Sequence, residues 1–197
     1  MEERTATVTR QTKETSITAR LNLDGRGRVE VKTGVGFFDH MLTSALVHGF
    51  FDLELTAKGD THVDDHHTVE DVGIVLGQAF AQALGDFSGI KRFGEAGAPM
   101  DEALARATVD LSRRPYLVFE TPAAGLARTG GFDAQLAEEF WRAFAVNCGA
   151  NLHLEVVRGR NTHHMLEALF KAAGRALDQA SQMEPRLEGA LSTKGTL

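Results

Sequence analysis

The sequence predicts an α+β fold made by tandem duplication, in which each of two similar halves is an antiparallel or mixed sheet covered by two helices. The main observation is a repeated pattern, because His66-His67-Thr68-Val69-Glu70 returns as His163-His164-Met165-Leu166-Glu167. Around both copies the predicted order is helix, strand, turn, HHxxE and helix, and a glycine follows each glutamate by seven positions (Gly77 and Gly174). We therefore assign residues 1–90 to a first half and 91–197 to a second half, with the helices packed between the two sheets.

Alternation of apolar and polar residues predicts the strands of the first half. Residues 4–23 alternate with period two on both sides of a polar turn, which indicates two strands. Asp24-Gly25-Arg26-Gly27 is a strong turn signal, and Val29 to Val31 resumes the strand pattern, so we expect a hairpin there. The remaining elements predicted in this half are a helix at 38–47, a strand at 51–57 and a helix from about 68 to 84.

The second half repeats this order. Strand patterns lie on both sides of Arg113-Arg114-Pro115, at 107–111 and 116–119. The glycine-rich segment 87–99 is interpreted as the join between the halves. The other predicted elements are a helix at 134–147, a strand at 152–157, and a helix that the second HHxxE opens and that continues to about residue 183.

Composition restricts the class of function. With 197 residues, a net charge of −6 and a pI near 5.7, the chain is not expected to bind nucleic acid or an anionic membrane. A single cysteine, Cys148, excludes an internal disulfide and fits a reducing compartment. The sequence has neither a long apolar run nor a recognisable signal peptide, so we expect a cytoplasmic protein that does not span a membrane.

The HHxxE spacing indicates metal binding. On a helix, residues four apart share a face and adjacent residues do not, so His66 and Glu70 can chelate one ion while His67 points elsewhere. Two adjacent histidines therefore suit two ions. We infer a crossed arrangement in which each motif contributes to both ions, one holding His66, Glu70 and His164 and the other holding His163, Glu167 and His67. If the motifs lie on opposite sides of one subunit, a neighbouring chain must complete each site.

Two further histidines are candidate ligands. His40 lies in Gly36-Phe37-Phe38-Asp39-His40, and His153 lies in a predicted strand. Imidazole and carboxylate ligands without a usable thiolate favour Mn, Fe, Co, Ni or Zn, and a site that keeps positions open for substrate suits an octahedral ion such as Mn²⁺. Zn²⁺ remains an alternative.

Several cations and a C-terminal segment could bind an anion. Arginine, lysine, serine and glycine-rich backbone are the groups that bind phosphate. The candidates in this chain are Arg92, Arg114, Lys171, Ser192 and Lys194.

A set of longer segments runs through the whole chain. They are residues 10–15, Leu23-Asp24-Gly25, 33–42, 59–60, Asp65-His66-His67-Thr68-Val69-Glu70-Asp71, Pro99-Met100-Asp101-Glu102, Asn161-Thr162-His163-His164, 167–172 and Ser192-Thr193-Lys194-Gly195. Together they resemble the imidazoleglycerol-phosphate dehydratase family, the enzymes of histidine biosynthesis that convert imidazole glycerol phosphate to imidazole acetol phosphate. The chain departs from the family pattern at Arg113, where Gly is more usual, and over 146–151.

The resemblance implies a duplicated fold of the ribosomal protein S5 domain 2-like type, two Mn²⁺ ions per active site, and trimers assembled into a 24-subunit shell with active sites at subunit interfaces. It implies metal binding by the eight residues His40, His66, His67, Glu70, His153, His163, His164 and Glu167. It also implies phosphate contacts by the five candidates named above, and an acid/base role for Glu14. His40, His48 and Asp101 are further candidates for contact with the substrate.

The chemistry expected from this resemblance starts from the substrate's own imidazole ring. Held between two ions, the ring can expel the adjacent hydroxyl, while Glu14 moves the proton of the neighbouring carbon. Two alternatives stay open at this point. One is a dinuclear hydrolase of phosphate esters, which would usually have more aspartate ligands. The other is a non-catalytic assembly in which ions only hold subunits together.

Overall fold

The computed structural model describes residues 3–122 and 125–194. In chain order, the first half contains β1 (Thr5–Gln11), β2 (Thr15–Asn22), β3 (Val29–Lys32), α1 (Gly36–His48), β4 (Asp52–Gly59) and α2 (His66–Leu84). The second half contains β5 (Phe93–Met100), β6 (Ala103–Asp110), β7 (Tyr116–Glu120), α3 (Leu136–Cys148), β8 (Asn151–Arg158) and α4 (Thr162–Ser181).

The two halves have the same sheet topology. The first sheet has the order β1-β2-β4-β3 and the second has the order β5-β6-β8-β7. In each sheet the last strand runs parallel to its neighbour, with Val29 opposite Leu53 and Leu117 opposite Leu152, and the other pairs are antiparallel. This repeat confirms the predicted duplicated α+β fold with mixed sheets.

The predicted hairpin at the Asp24–Gly27 turn is wrong. β4 lies between β2 and β3, so the strands that flank the turn are not partners. β3 instead pairs with β4 in parallel, and α1 provides the crossover that parallel neighbours require. Alternation along a strand indicates which face is buried, but it does not specify which strand lies alongside.

The glycine-rich segment interpreted as a join contains an edge strand, β5. One of its glycines is explained by the helix packed on the strand, because a Cβ at Gly94 would lie 2.0 Å from the carbonyl oxygen of Ala176 in α4. Glycine at this position allows α4 to lie unusually close to the strand. A composition typical of a loop therefore reflects tight packing of a helix on a sheet.

The four helices lie between the two sheets and join the halves. α2 packs on β1 and β2, and α4 packs on β5 and β6, while α2 crosses α3 and α1 crosses α4. A Cβ at Gly77 would lie 2.6 Å from the carbonyl oxygen of Phe144, and one at Gly174 would lie 1.9 Å from that of Ala45. The repeated glycines are thus the points where a helix of one half touches a helix of the other. None of the helices in the described ranges has both the length and the apolar character that crossing a membrane requires.

Candidate active site

Three predicted metal ligands converge where α1 meets α4. Nε2 of His40 and Nε2 of His163 lie 3.0 Å and 3.1 Å from the same oxygen of Glu167. The potential ligand atoms of these three residues are all within 4.8 Å of one another. His163 and Glu167 share a face because they are four residues apart on α4, and the close helix crossing at Gly174 brings His40 to them from α1.

The negative charge of the Glu167 carboxylate makes this cluster suitable for a cation. Burial raises the pKa of its carboxyl group, but hydrogen bonds from Lys171, His40 and His163 outweigh that effect and lower the pKa to about 2. The ammonium of Lys171 lies 2.6 Å from the second carboxylate oxygen. A charged carboxylate beside two imidazoles is a donor set that suits a first-row divalent metal ion.

The first HHxxE motif is less complete within one chain. Nε2 of His66 lies 3.9 Å from a carboxylate oxygen of Glu70, and across the described ranges no third residue joins them within ligand distance. By the register of the two helix crossings, the position on α3 that corresponds to His40 is Glu139. The Glu139 carboxylate lies 3.8 Å from the Arg142 guanidinium instead. The duplication has therefore not reproduced the cluster.

The second histidine of each motif points away from the first, as helical geometry predicts, and a carboxylate orients it. Nδ1 of His67 lies 3.1 Å from Asp60, and Nδ1 of His164 lies 2.8 Å from Glu102. These hydrogen bonds raise the pKa of both imidazoles. In each ring Nδ1 is engaged and Nε2 is the nitrogen left to bind an ion, which is the usual role of a carboxylate behind a metal-binding histidine.

Asp60 and Glu102 are functional candidates that the sequence analysis missed. Glu102 also accepts the backbone N–H groups of Arg160 and Asn161, and the His164 hydrogen bond is the largest of the effects that lower its pKa to about 2. Both carboxylates lie within segments that carry the family resemblance, but nothing in the sequence paired them with a histidine, and Glu102 is 62 residues from His164.

Glu14 and Asp101 occupy similar places in the two halves. Glu14 lies in the turn between β1 and β2, with a carboxylate oxygen 3.9 Å from Nδ1 of His67. Asp101 lies in the turn between β5 and β6, with a carboxylate oxygen 3.7 Å from Nε2 of His164. Each hairpin turn thus carries an exposed carboxylate near the second histidine of an HHxxE motif.

Four of the predicted phosphate contacts line one cavity of about 680 Å³, namely Arg92, Arg114, Ser192 and Lys194. Arg92 is held by two bonds to the Asp110 carboxylate, of 2.6 Å and 3.0 Å, and donates a third to the carbonyl oxygen of Leu191. We call this cavity the basic pocket. Three cations and a hydroxyl around one space match the groups that recognise phosphate.

The other predicted site residues lie elsewhere. We call His40, His163 and Glu167 the metal-type cluster. Lys171 lies beside this cluster and does not line the basic pocket. His48 is at the exposed end of α1, where its Nδ1 lies 2.8 Å from the carbonyl oxygen of Ser44. His153 is exposed on β8 between buried Leu152 and Leu154, so it lies on the face of the sheet that the helices do not cover. In a single chain His153 does not meet the cluster around Glu167.

Comparison with known proteins agrees with this arrangement. Residues 33–177, which include both HHxxE motifs and the helix crossings, match the family model described as imidazoleglycerol-phosphate dehydratase. The chain belongs to this family. Imidazoleglycerol-phosphate dehydratases are hydro-lyases, enzymes that remove water, and the chain is accordingly a dehydratase of that class.

Relatives and solved structures from this family cover nearly the whole chain. The imidazoleglycerol-phosphate dehydratase of Pelobacter propionicus is 56% identical over 98% of this chain and 99% of its own length, and that of Desulfosudis oleivorans is 56% identical over 99% and 100%. The Pyrococcus furiosus enzyme, solved in complex with (S)-C348, superposes with a TM-score of 0.82 at 37% identity, covering 96% of this chain and all of its own. The Staphylococcus aureus enzyme superposes at 0.78 with 39% identity, covering 91% and 100%.

Proposed function

We propose that the protein removes water from imidazole glycerol phosphate to give imidazole acetol phosphate, as a Mn²⁺-dependent step of histidine biosynthesis in the cytoplasm. The observation that carries this proposal is the cluster of His40, His163 and Glu167, a metal-type donor set in a member of the dehydratase family. The basic pocket supports a phosphorylated substrate, and a single buried cysteine is consistent with a reducing compartment.

His40, His163 and Glu167 would hold one ion, and His66 with Glu70 would begin the site of a second. His67, His164 and His153 are the remaining ligands that we assign to these two sites. When bound, such ions would supply Lewis-acid polarisation to the imidazole ring and hydroxyl group of the substrate. Asp60 and Glu102 hold Nδ1 of His67 and of His164, which leaves Nε2 of each ring free to bind an ion.

The chain's own groups perform the proton transfer and the positioning. Water is lost when the hydroxyl leaves the carbon attached to the ring and a proton leaves the next carbon. Glu14 is the group that we assign to that proton, because its carboxylate is exposed and lies 3.9 Å from His67 of the first HHxxE motif. Such a group typically contributes about 10²–10⁴-fold to the rate. Arg92, Arg114, Ser192 and Lys194 hold the phosphate.

The length of α4 supports an active site shared between subunits. The metal-type cluster lies at the start of α4, whereas Arg92 of the basic pocket bonds through its backbone N–H to the carbonyl oxygen of Ala180, near the helix end. Between His163 and Ala180 the helix advances by about 25 Å. The substrate, extended, spans at most roughly 10 Å. It therefore cannot reach both sites of one chain, and we propose that the cluster of one subunit meets the basic pocket of another in a homo-oligomer, a 24-subunit shell built from trimers.

The experiment that tests this function follows formation of imidazole acetol phosphate by the metal-stripped protein and by the same preparation reloaded with Mn²⁺, Zn²⁺ or Mg²⁺. We expect product only after reloading, with Mn²⁺ the most effective ion. Intact assembly with no product in any metal form would contradict the proposal and favour an ion that only holds subunits together.

A further inference from the structure

Arg113 adopts a backbone conformation that disfavours its own side chain. Its φ is +57°, in the left-handed region where glycine is the usual residue. It lies in the loop between β6 and β7, directly before Arg114 of the basic pocket. A bulky residue persists in this conformation only where surrounding contacts compensate for the strain.

The side chain of Arg113 supplies such contacts, and they reach into the other half of the protein. Its guanidinium carbon lies 4.8 Å from the ring centroid of Phe87, which is buried. Its Nη2 donates a hydrogen bond of 2.8 Å to the carbonyl oxygen of Gly85, the residue that caps the C-terminus of α2. A cation above an aromatic face, together with a charged donor on a helix-terminal carbonyl, makes a two-point attachment.

The backbone of the β6–β7 loop also packs on the end of α3. A Cβ at Gly149, at the end of α3, would lie 3.0 Å from the Cα of Arg113, so the loop backbone rests directly on that helix terminus. Within the loop, Arg114 donates a 3.3 Å hydrogen bond to the carbonyl oxygen of Ser112. The backbone of Arg113 thus packs on the end of α3 and its side chain is bonded to the end of α2. Arg114 is the next residue in the loop.

We propose that Arg113 is a positioning residue for the phosphate of the substrate: its attachment to Phe87 and Gly85 holds the β6–β7 loop so that Arg114 faces Arg92 and Lys194 across the basic pocket. This inference rests on the proposed function for the identity of the substrate. Arg113 itself does not line the basic pocket, so it acts through Arg114.

The test compares Arg113→Gly and Arg113→Lys with the wild-type protein. Glycine suits the left-handed backbone and removes the attachment, so the variant will fold. Lysine restores a charged donor and a cation over Phe87 in part. The matched control is Arg20→Ala, which removes an exposed arginine of the first sheet whose one ion pair among the described residues is with Glu54. The measurements are kcat and KM of the Mn²⁺-loaded protein, and calorimetric binding of inorganic phosphate.

For Arg113→Gly we expect KM, and the Kd of inorganic phosphate, to rise by about threefold to tenfold with kcat within twofold. Arg113→Lys should recover part of the loss, and Arg20→Ala should match the wild type. Unchanged KM and phosphate affinity in Arg113→Gly would overturn the proposal, as would a fall in kcat with KM unaltered. Phosphate binding is read without turnover, so a wild-type protein inactive on imidazole glycerol phosphate would refute the proposed function and still leave this inference measurable.

Discussion

Replacement of Gly174 by alanine tests whether the helix crossing builds the metal-type cluster. The added Cβ would lie 1.9 Å from the carbonyl oxygen of Ala45, whereas ordinary contact begins at 3.4 Å. The oxygen belongs to the backbone, so no side chain can rotate away, and α1 must move from α4 by roughly 1.5 Å. His40 moves with α1, while His163 and Glu167 stay on α4.

The magnitude follows from two opposing effects. Alanine favours a helix over glycine by about 1 kcal/mol, but overpacking against a fixed backbone costs about 3 kcal/mol. The net loss of about 2 kcal/mol in unfolding free energy lowers Tm by roughly 4–8 °C. The shift also stretches the 3.0 Å separation between His40 and Glu167, so we expect affinity for Mn²⁺ to fall about tenfold or more.

Scanning calorimetry and titration calorimetry with Mn²⁺ measure these two quantities. The control is Gly97→Ala on β5, where the nearest atom that the added Cβ meets among the described residues is a carbonyl oxygen at 3.8 Å, and this variant should match the wild type in both assays. If Gly174→Ala melts and binds Mn²⁺ like the control, then the close crossing does not determine the geometry of the cluster.

Three further substitutions test other parts of the site and the fold. Glu102→Gln should weaken Mn²⁺ binding by about 10–100-fold, because His164 loses the carboxylate that orients it. Titration calorimetry measures this affinity, with Glu54→Gln, a substitution of an exposed glutamate in the first sheet, as the control. Glu14→Gln should abolish turnover while Tm and Mn²⁺ affinity stay unchanged, and retention of the wild-type rate would exclude Glu14 as the proton-transfer group. The hydrogen bonds from Arg4 lower the pKa of Asp24 below its usual 3.8, so this pair stabilises the fold above pH 3.8 and the contribution is lost as the pH falls below that value. Asp24→Asn should therefore lower Tm at pH 7, with a difference from the wild type that shrinks in acid; a difference independent of pH would contradict this.

The fold was largely predictable from local pattern, and the failures have a common cause. The HHxxE repeat and its trailing glycines indicated a duplication, and the structure explains those glycines as helix crossings. The hairpin at Asp24 was wrong because strand neighbours are chosen by packing over long sequence distances, and β4 comes between β2 and β3 only after α1 has crossed over. β5 was missed because the glycine that α4 needs beneath it resembles a loop signal.

The candidate site was predictable to a similar extent. Helical spacing alone brings His163 to Glu167, but His40 reaches them only because α1 crosses α4. Asp60 and Glu102 could not be recognised, since a carboxylate behind a histidine has no fixed sequence separation from it, and Glu102 is 62 residues from His164. The place of His153, on the outer face of its sheet, follows the alternation of β8 and keeps it apart from the cluster around Glu167 within one chain.

We propose that the metal-type cluster of one subunit works with the basic pocket of another. This proposal is tested most directly by mixing His163→Ala protein with Arg114→Ala protein, each inactive alone, then dissociating and reassembling them together with Mn²⁺. Each site would take its metal-type cluster from one subunit and its basic pocket from another. In an equal mixture roughly one quarter of the sites should therefore combine an intact cluster with an intact pocket. Dehydration of imidazole glycerol phosphate should return to about that fraction of the wild-type rate. A mixture that stays inactive, while wild-type protein treated in the same way recovers, would contradict the account.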